Sequence, residues 1–252
     1  MAGERPARLD LSHPRTYGEL LRTSLQVFGR HADILLTLAL VLVAPVTLVV
    51  DGIWGRALAD GVDADPSLAS QGVSAALSVF VILPLVIAAT ALVVRDLGGG
   101  TAPGDVGATL RAGLQRFPAV FGAVVLYTVA CLAGFVLLVV PGVWLAIRCY
   151  FAAQAAALDG LGPSAAMRRS SELVQGRWWR TFGCLVATGL LLGLIGSIAT
   201  NAFAASGNGA LFVAGASIVE SVVVSITATF AALLFFDLRA RATTAGVDTM
   251  AE

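Results

Sequence analysis

Six apolar stretches, at residues 34–50, 72–94, 119–140, 142–158, 181–204 and 211–236, alternate along this chain with shorter connections that collect most of its charge. A bilayer core about 30 Å thick needs roughly 17 to 25 apolar residues in a helix. The pattern therefore predicts an all-α, polytopic membrane bundle of six transmembrane helices. The fourth stretch is the shortest and contains Arg148. Reading it as re-entrant would carry Arg168, Arg169, Arg177 and Arg180 to the far side of the membrane, so the charge pattern keeps it as a span. The organisation that follows is a cytoplasmic N-terminal segment with an amphipathic helix (1–31), a six-span membrane domain (32–238) and a cytoplasmic tail (239–252).

A second periodicity precedes each odd-numbered stretch. Leu20 to Phe28 (LLRTSLQVF) and Thr109 to Phe117 (TLRAGLQRF) align Leu21 with Leu110, Arg22 with Arg111, Leu25 with Leu114, Gln26 with Gln115 and Phe28 with Phe117. Ala166 to Gly176 (AMRRSSELVQG) is a looser third copy. Leu and Phe recur at helical spacing with Arg opposite, which predicts surface helices lying with their apolar faces in the acyl boundary. Three units of surface helix plus hairpin result, at about 17–94, 105–159 and 163–237. In the third, Pro163 and Ser164 open the surface helix and Gly176 ends it, before Trp178 and Trp179 anchor at the interface.

Composition narrows the class. Hydrophobic residues make up 58% of the chain and charged residues 13%, against 45 to 50% apolar usage in soluble domains. Net charge is zero, which gives no electrostatic pull on nucleic acid. All sixteen basic residues are Arg, and with the richness in Ala, Gly and Val this points to a GC-rich bacterial source. Arg5, Arg8, Arg15, Arg22 and Arg30, then Arg95, Arg111 and Arg116, then the four arginines from Arg168 to Arg180, and finally Arg239 and Arg241 fall on alternate connections. The other connections hold only Arg56, beside Asp51, Asp60, Asp63 and Asp65. Short Arg-rich loops stay in the cytoplasm, so both termini are expected there, in a bacterial plasma membrane. Trp54 and Trp144 are expected at the outer boundary.

Candidate chemistry is sparse. Arg148 and Glu220 are ionisable residues well inside predicted spans, at nearly matched depth, and an intramembrane charge costs at least about 2.5 to 3.5 kcal/mol. They are expected to pair, and a polar site around them is the alternative, transporter or channel, reading. Ser217, Ser221, Ser225 and Thr229, and the pair Gly189 and Gly193, read as helix-packing stripes. Pro45 and Pro84 predict kinks. Cys131, Cys149 and Cys184 read as small buried hydrophobes, and His13 and His31 as surface residues. The loop GGGTAPG (Gly98 to Gly104) lacks a dinucleotide fingerprint, and no GxSxG, HExxH or P-loop pattern occurs. No enzyme activity, cofactor or metal is expected.

The run PGVWLAIRCYFAAQAAALDGLGPSAAMRRSSELVQGRWWRTF (Pro141 to Phe182) resembles the polytopic membrane-domain family named after the membrane portion of glycerophosphoryl diester phosphodiesterase. The matching elements are Pro141-Gly142, Arg148, Asp159-Gly160, Ala166, Arg169, Ser170, Val174, Gly176 and Trp179, with FFDLRAR around Asp237 and Arg239 resembling the family's closing motif; Thr243 and Thr244 depart from it. The resemblance implies a six-helix bacterial membrane protein tied to lipid or envelope processes. It implies no catalytic role, because the phosphodiesterase chemistry belongs to a separate soluble barrel. The expected function is a non-enzymatic scaffold whose Arg168, Arg169, Arg177 and Arg180 engage membrane lipids, a membrane-protein partner or a second copy of the chain.

Overall fold

A computed structural model describes residues 10, 11, 13–49, 72, 75–101 and 105–248. Arg5, Arg8, Asp51, Trp54, Arg56, Asp60, Asp63 and Asp65 lie outside the described residues, as do parts of the first two apolar stretches, the GGGTAPG loop and the tail. Among the described residues the regular structure is entirely helical. Five segments are long and apolar enough to cross a membrane: Ala75–Gly99, Val106–Leu137, Val139–Asp159, Trp178–Ala204 and Gly209–Thr244. A bent pair near the N-terminus makes a sixth if counted as one span.

That pair comprises α1 (Tyr17–Arg30) and α2 (Ala32–Thr47), which meet at 86°. A capping box opens α1: Thr16 Oγ1 accepts from the Glu19 N–H, and Glu19 Oε2 accepts from the Thr16 N–H at 2.7 Å. The latter bond holds the Glu19 carboxyl below its ordinary range. Leu20, Ser24 and Val27 form the buried stripe of α1. A π-helical turn (Ser78–Ile82) leads into α3 (Leu83–Gly99), with Pro84 in the first turn. The distortion falls where a proline removes a backbone donor.

The predicted surface helices divide. The first is α1, and the third is α7 (Pro163–Val174), started by Pro163 and followed by Gly176 at φ +75°. The second is not a separate helix. Residues 109–117 form the first part of α4 (Val106–Leu137), which continues through Pro118 without a break. Its 32 residues reach about 48 Å. The other copies leave helical geometry at His31 and at Gln175 to Arg177, next to Gly29 and Gly176. The third copy ends on the left-handed Gly176, whereas the second has Pro118 and Ala119 in the positions of Gly29 and Arg30 and stays helical through them.

An extended Leu138 turns the chain from α4 into α5 (Val139–Cys149), which is followed by α6 (Ala152–Asp159). Both run back along α4. The approach is closest at Gly134 and Gly142, where a Cβ on Gly142 would lie 2.6 Å from the Phe135 ring. Next come α8 (Trp178–Ala204) and α9 (Gly209–Asp248), a long antiparallel hairpin. Its close contact is at Gly215, whose Cβ would strike Phe203.

The main core joins α3, α4, α6, α7 and the C-terminal half of α9, with Phe151, Phe230, Leu233, Leu234 and Phe235 fully buried. Asp159 meets Arg239 at 2.8 Å, the Phe151 and Phe235 rings stand 6.1 Å apart, and the Trp144 carbonyl accepts from Trp178 Nε1 at 3.3 Å. Trp178 is itself held at this end of α9, because Arg177 donates to the Arg241 carbonyl and Arg180 to Asp237. From Trp144 to Asp159 is about 22 Å of helix, whereas Phe235 to Arg241 on α9 is about 9 Å. The α5–α6 segment therefore runs mainly across α9, and both of its ends meet the arginine-rich end of the α8–α9 hairpin. Trp144, expected at the opposite boundary, sits there beside Trp178.

The turn joining α4 to α5 is apolar throughout, and Phe135, Val136, Leu137, Leu138, Val139 and Val140 are all exposed. The serine stripe on α9 is buried as expected. Ser217, Ser221 and Thr229 donate to carbonyls one turn back, and Ser225 donates to the Leu35 carbonyl of α2 at 3.1 Å. The expected packing of Gly189 and Gly193 is not seen. Among the described residues no atom of another element lies within 4 Å of a Cβ built on either, and the contact to α9 falls on Gly196 instead. The three cysteines are buried thiols, as expected.

Candidate functional site

The charge of the arginine-rich end converges on Asp237, whose side chain is 1% exposed. It accepts from Arg180 at 2.7 Å, from Arg241 at 3.0 Å and from the Arg15 N–H at 2.6 Å. Arg180 and Arg241 also donate to the Arg15 carbonyl, at 2.6 and 2.8 Å. Two guanidiniums and one carboxylate thus tie the entry to α1, the start of α8 and the last third of α9 into one charge-assisted network. Asp159 and Arg239 close a second link, between α6 and α9. Nothing in the hydrophobic pattern singles out Asp237; its place in FFDLRAR, one turn before Arg241, was the available signal.

The four arginines expected to face lipid or a partner separate into two pairs. Arg177 and Arg180 turn inward to α9, as above. Arg168 and Arg169 stay on the outer side of α7, each 3.8 Å from Glu172, with Arg168 77% exposed. Two arginines against one exposed glutamate leave a net positive face, and such exposed pairs contribute about 0 to 1 kcal/mol. Trp179, 78% exposed, lies in the first turn of the neighbouring α8.

The structure does not bring Arg148 to Glu220. The Arg148 guanidinium lies 4.6 Å over the Trp144 ring and its Nε donates to Ser171 of α7. Glu220 is on an exposed face of α9 with an interaction of its own. It stands seventeen residues from Asp237, about 25 Å along the helix. The equal depth inferred from span boundaries fails because α5 crosses α9 instead of running beside it.

Ser170, fully buried beside Ser171, splices the break between α5 and α6. Its Oγ donates to the Arg148 carbonyl at 2.9 Å and accepts from the Phe151 N–H at 3.1 Å. Ser170→Ala strands both backbone groups, at a cost of about 1 to 3 kcal/mol. The expected result is a lowered midpoint in detergent thermal unfolding, while Ser171→Ala shows a smaller loss. His13, exposed, pairs with Asp10 at 3.3 Å. Among the described residues no cluster of His, Cys, Asp and Glu could hold a metal.

Residues 105–238 match the model of a family described as a domain of unknown function, DUF7847. The match covers more than half of the chain, which therefore belongs to that family. It spans α4 to α9 up to Leu238, including Asp237, Arg180 and the whole of α7. No curated protein and no solved structure matches the chain.

Proposed function

We propose that this member of the family is a non-enzymatic integral membrane protein of the bacterial plasma membrane, with both termini in the cytoplasm, which holds anionic lipid headgroups against α7. The observation that carries the reading is the division of its arginines: Arg177 and Arg180 bind α9, while Arg168 and Arg169 remain outward on α7. The resemblance over Pro141 to Phe182 implies lipid or envelope processes, which agrees. Basic residues at an anionic surface contribute about 1 kcal/mol each, so Arg168→Gln with Arg169→Gln should weaken anionic-lipid preference by about thirtyfold. Quenching of tryptophan fluorescence by brominated anionic and zwitterionic lipids in nanodiscs measures that preference. An unchanged preference in the double variant eliminates α7 as the lipid contact.

In this reading the crossing helices are α2, the segment ending in α3, α8 and α9. The α4–α6 hairpin enters and leaves on the cytoplasmic side, its apolar turn resting among acyl chains. An even number of crossings keeps every arginine loop in the cytoplasm. It also accounts for a turn at Phe135 to Pro141 with no polar residue to meet water. Leu138→Cys in a cysteine-free background should resist a membrane-impermeant thiol reagent from either side. Rapid labelling from the periplasmic side would restore α4 and α5–α6 as crossing helices.

A further inference from the structure

A cavity of about 200 Å³ opens between the start of α3, α4, α6 and α9. Its walls are largely alanine and valine, and among the described residues no charged side chain lines it. Val79 and Leu83 line it and are also exposed, which places its mouth on the apolar flank of the bundle. Gln154 lies in its wall, 2% exposed, with an Oε1 that has no hydrogen-bond partner among the described residues. A buried amide oxygen without a donor costs about 1 to 3 kcal/mol, a cost that a ligand with a donor would remove. The other polar side chains there do not supply one: the Thr128 hydroxyl, for instance, donates to the Val124 carbonyl.

Three properties define the ligand. The walls ask for an apolar body, and the volume holds on the order of ten non-hydrogen atoms. Uncharged walls disfavour a phosphate or carboxylate, whose desolvation nothing would offset. Gln154 asks for an O–H or N–H donor. The cavity's wall on the crossing helix α9 ends at Ala231, six residues before Asp237 and about 9 Å along that helix, which puts it below the charged layer, at the depth of a lipid's glycerol. We propose that this cavity binds a neutral membrane lipid with a free hydroxyl, of the diacylglycerol class, whose hydroxyl donates to Gln154 Oε1 while the start of an acyl chain fills the apolar walls. The proposal rests on the membrane placement given above and not on the arginines of α7.

The test uses the full chain in nanodiscs and a diacylglycerol with a diazirine in one acyl chain, beside the same probe with its hydroxyl capped as a methyl ether. The expected result is labelling of peptides containing Ala123 to Thr128 or Val223 to Ala231, at least tenfold stronger for the free hydroxyl. Excess unlabelled diacylglycerol should compete. Gln154→Leu should abolish the tenfold preference, and Ala228→Phe, which fills the cavity from α9, should abolish the labelling itself. Equal labelling of these peptides by both probes, or a preference surviving in Gln154→Leu, overturns the proposal and leaves Gln154 to a buried water. Labelling confined to the outer faces of α4 and α8 also overturns it while upholding the membrane placement. No labelling of any apolar helix removes the membrane placement as well.

Discussion

Asp237→Ala is expected to lower the thermal unfolding midpoint in detergent by on the order of 10 °C. The carboxylate is 1% exposed and is the acid that Arg180 and Arg241 share. Its removal leaves two guanidiniums converging on the Arg15 carbonyl with no counter-charge, and breaking a buried pair on one side costs about 3 to 5 kcal/mol. For a chain of this size each kcal/mol shifts the midpoint by about 2 to 4 °C. The loss should be felt first at the entry to α1, because the Arg15 N–H loses its acceptor. Protection of residues 15–20 from hydrogen exchange therefore falls before that of α9. Combining Asp237→Ala with Arg180→Leu should recover part of the loss, since the double variant no longer has that guanidinium without its carboxylate. A double variant as unstable as the sum of the two single changes would show that Asp237 and Arg180 do not act as a pair.

Phe151→Ala carries the second large effect, about 3 to 5 kcal/mol, the usual cost of emptying a fully buried phenylalanine site. Phe151 is fully buried at the break between α5 and α6, with Tyr150 and Phe235 at ring distances of 5.2 and 6.1 Å. It fixes the point where the transverse segment crosses α9, so its loss should loosen the α4–α6 hairpin more than the α8–α9 hairpin. Hydrogen exchange read by peptide should show faster exchange in 139–159 with 209–230 little changed. Uniform acceleration over both regions would mean that the core unfolds as one unit and that the crossing has no separate stability. Phe151→Leu, which keeps most of the volume, should cost less than half as much.

The amino-acid sequence by itself determined the helical class, the apolar segments and the ends of α7. These depend on near-neighbour physics: runs of apolar side chains, a proline at a first helical turn, a glycine that adopts positive φ. It also put the arginines on alternate connections, since that pattern needs only a count along the chain. Three features required the tertiary structure. The second amphipathic copy continues into α4, whereas the first turns at His31 and the third at Gly176, so similar nine-residue strings end in different geometry. Arg148 and Glu220 do not pair, because depth inferred from span boundaries assumes parallel helices and α5–α6 runs across α9. Arg177 and Arg180 turned from expected surface residues into ligands of the Arg241 carbonyl and of Asp237, which is 57 positions from Arg180. Gln154 and Ser170 belong with these: a polar residue in an alanine-rich run looks the same in sequence whether it faces solvent, splices a helix break or waits for a donor. Hydrophobic periodicity records which side of a helix avoids water, whereas the crossing angle and the partner of each polar group follow from packing between segments far apart in the chain.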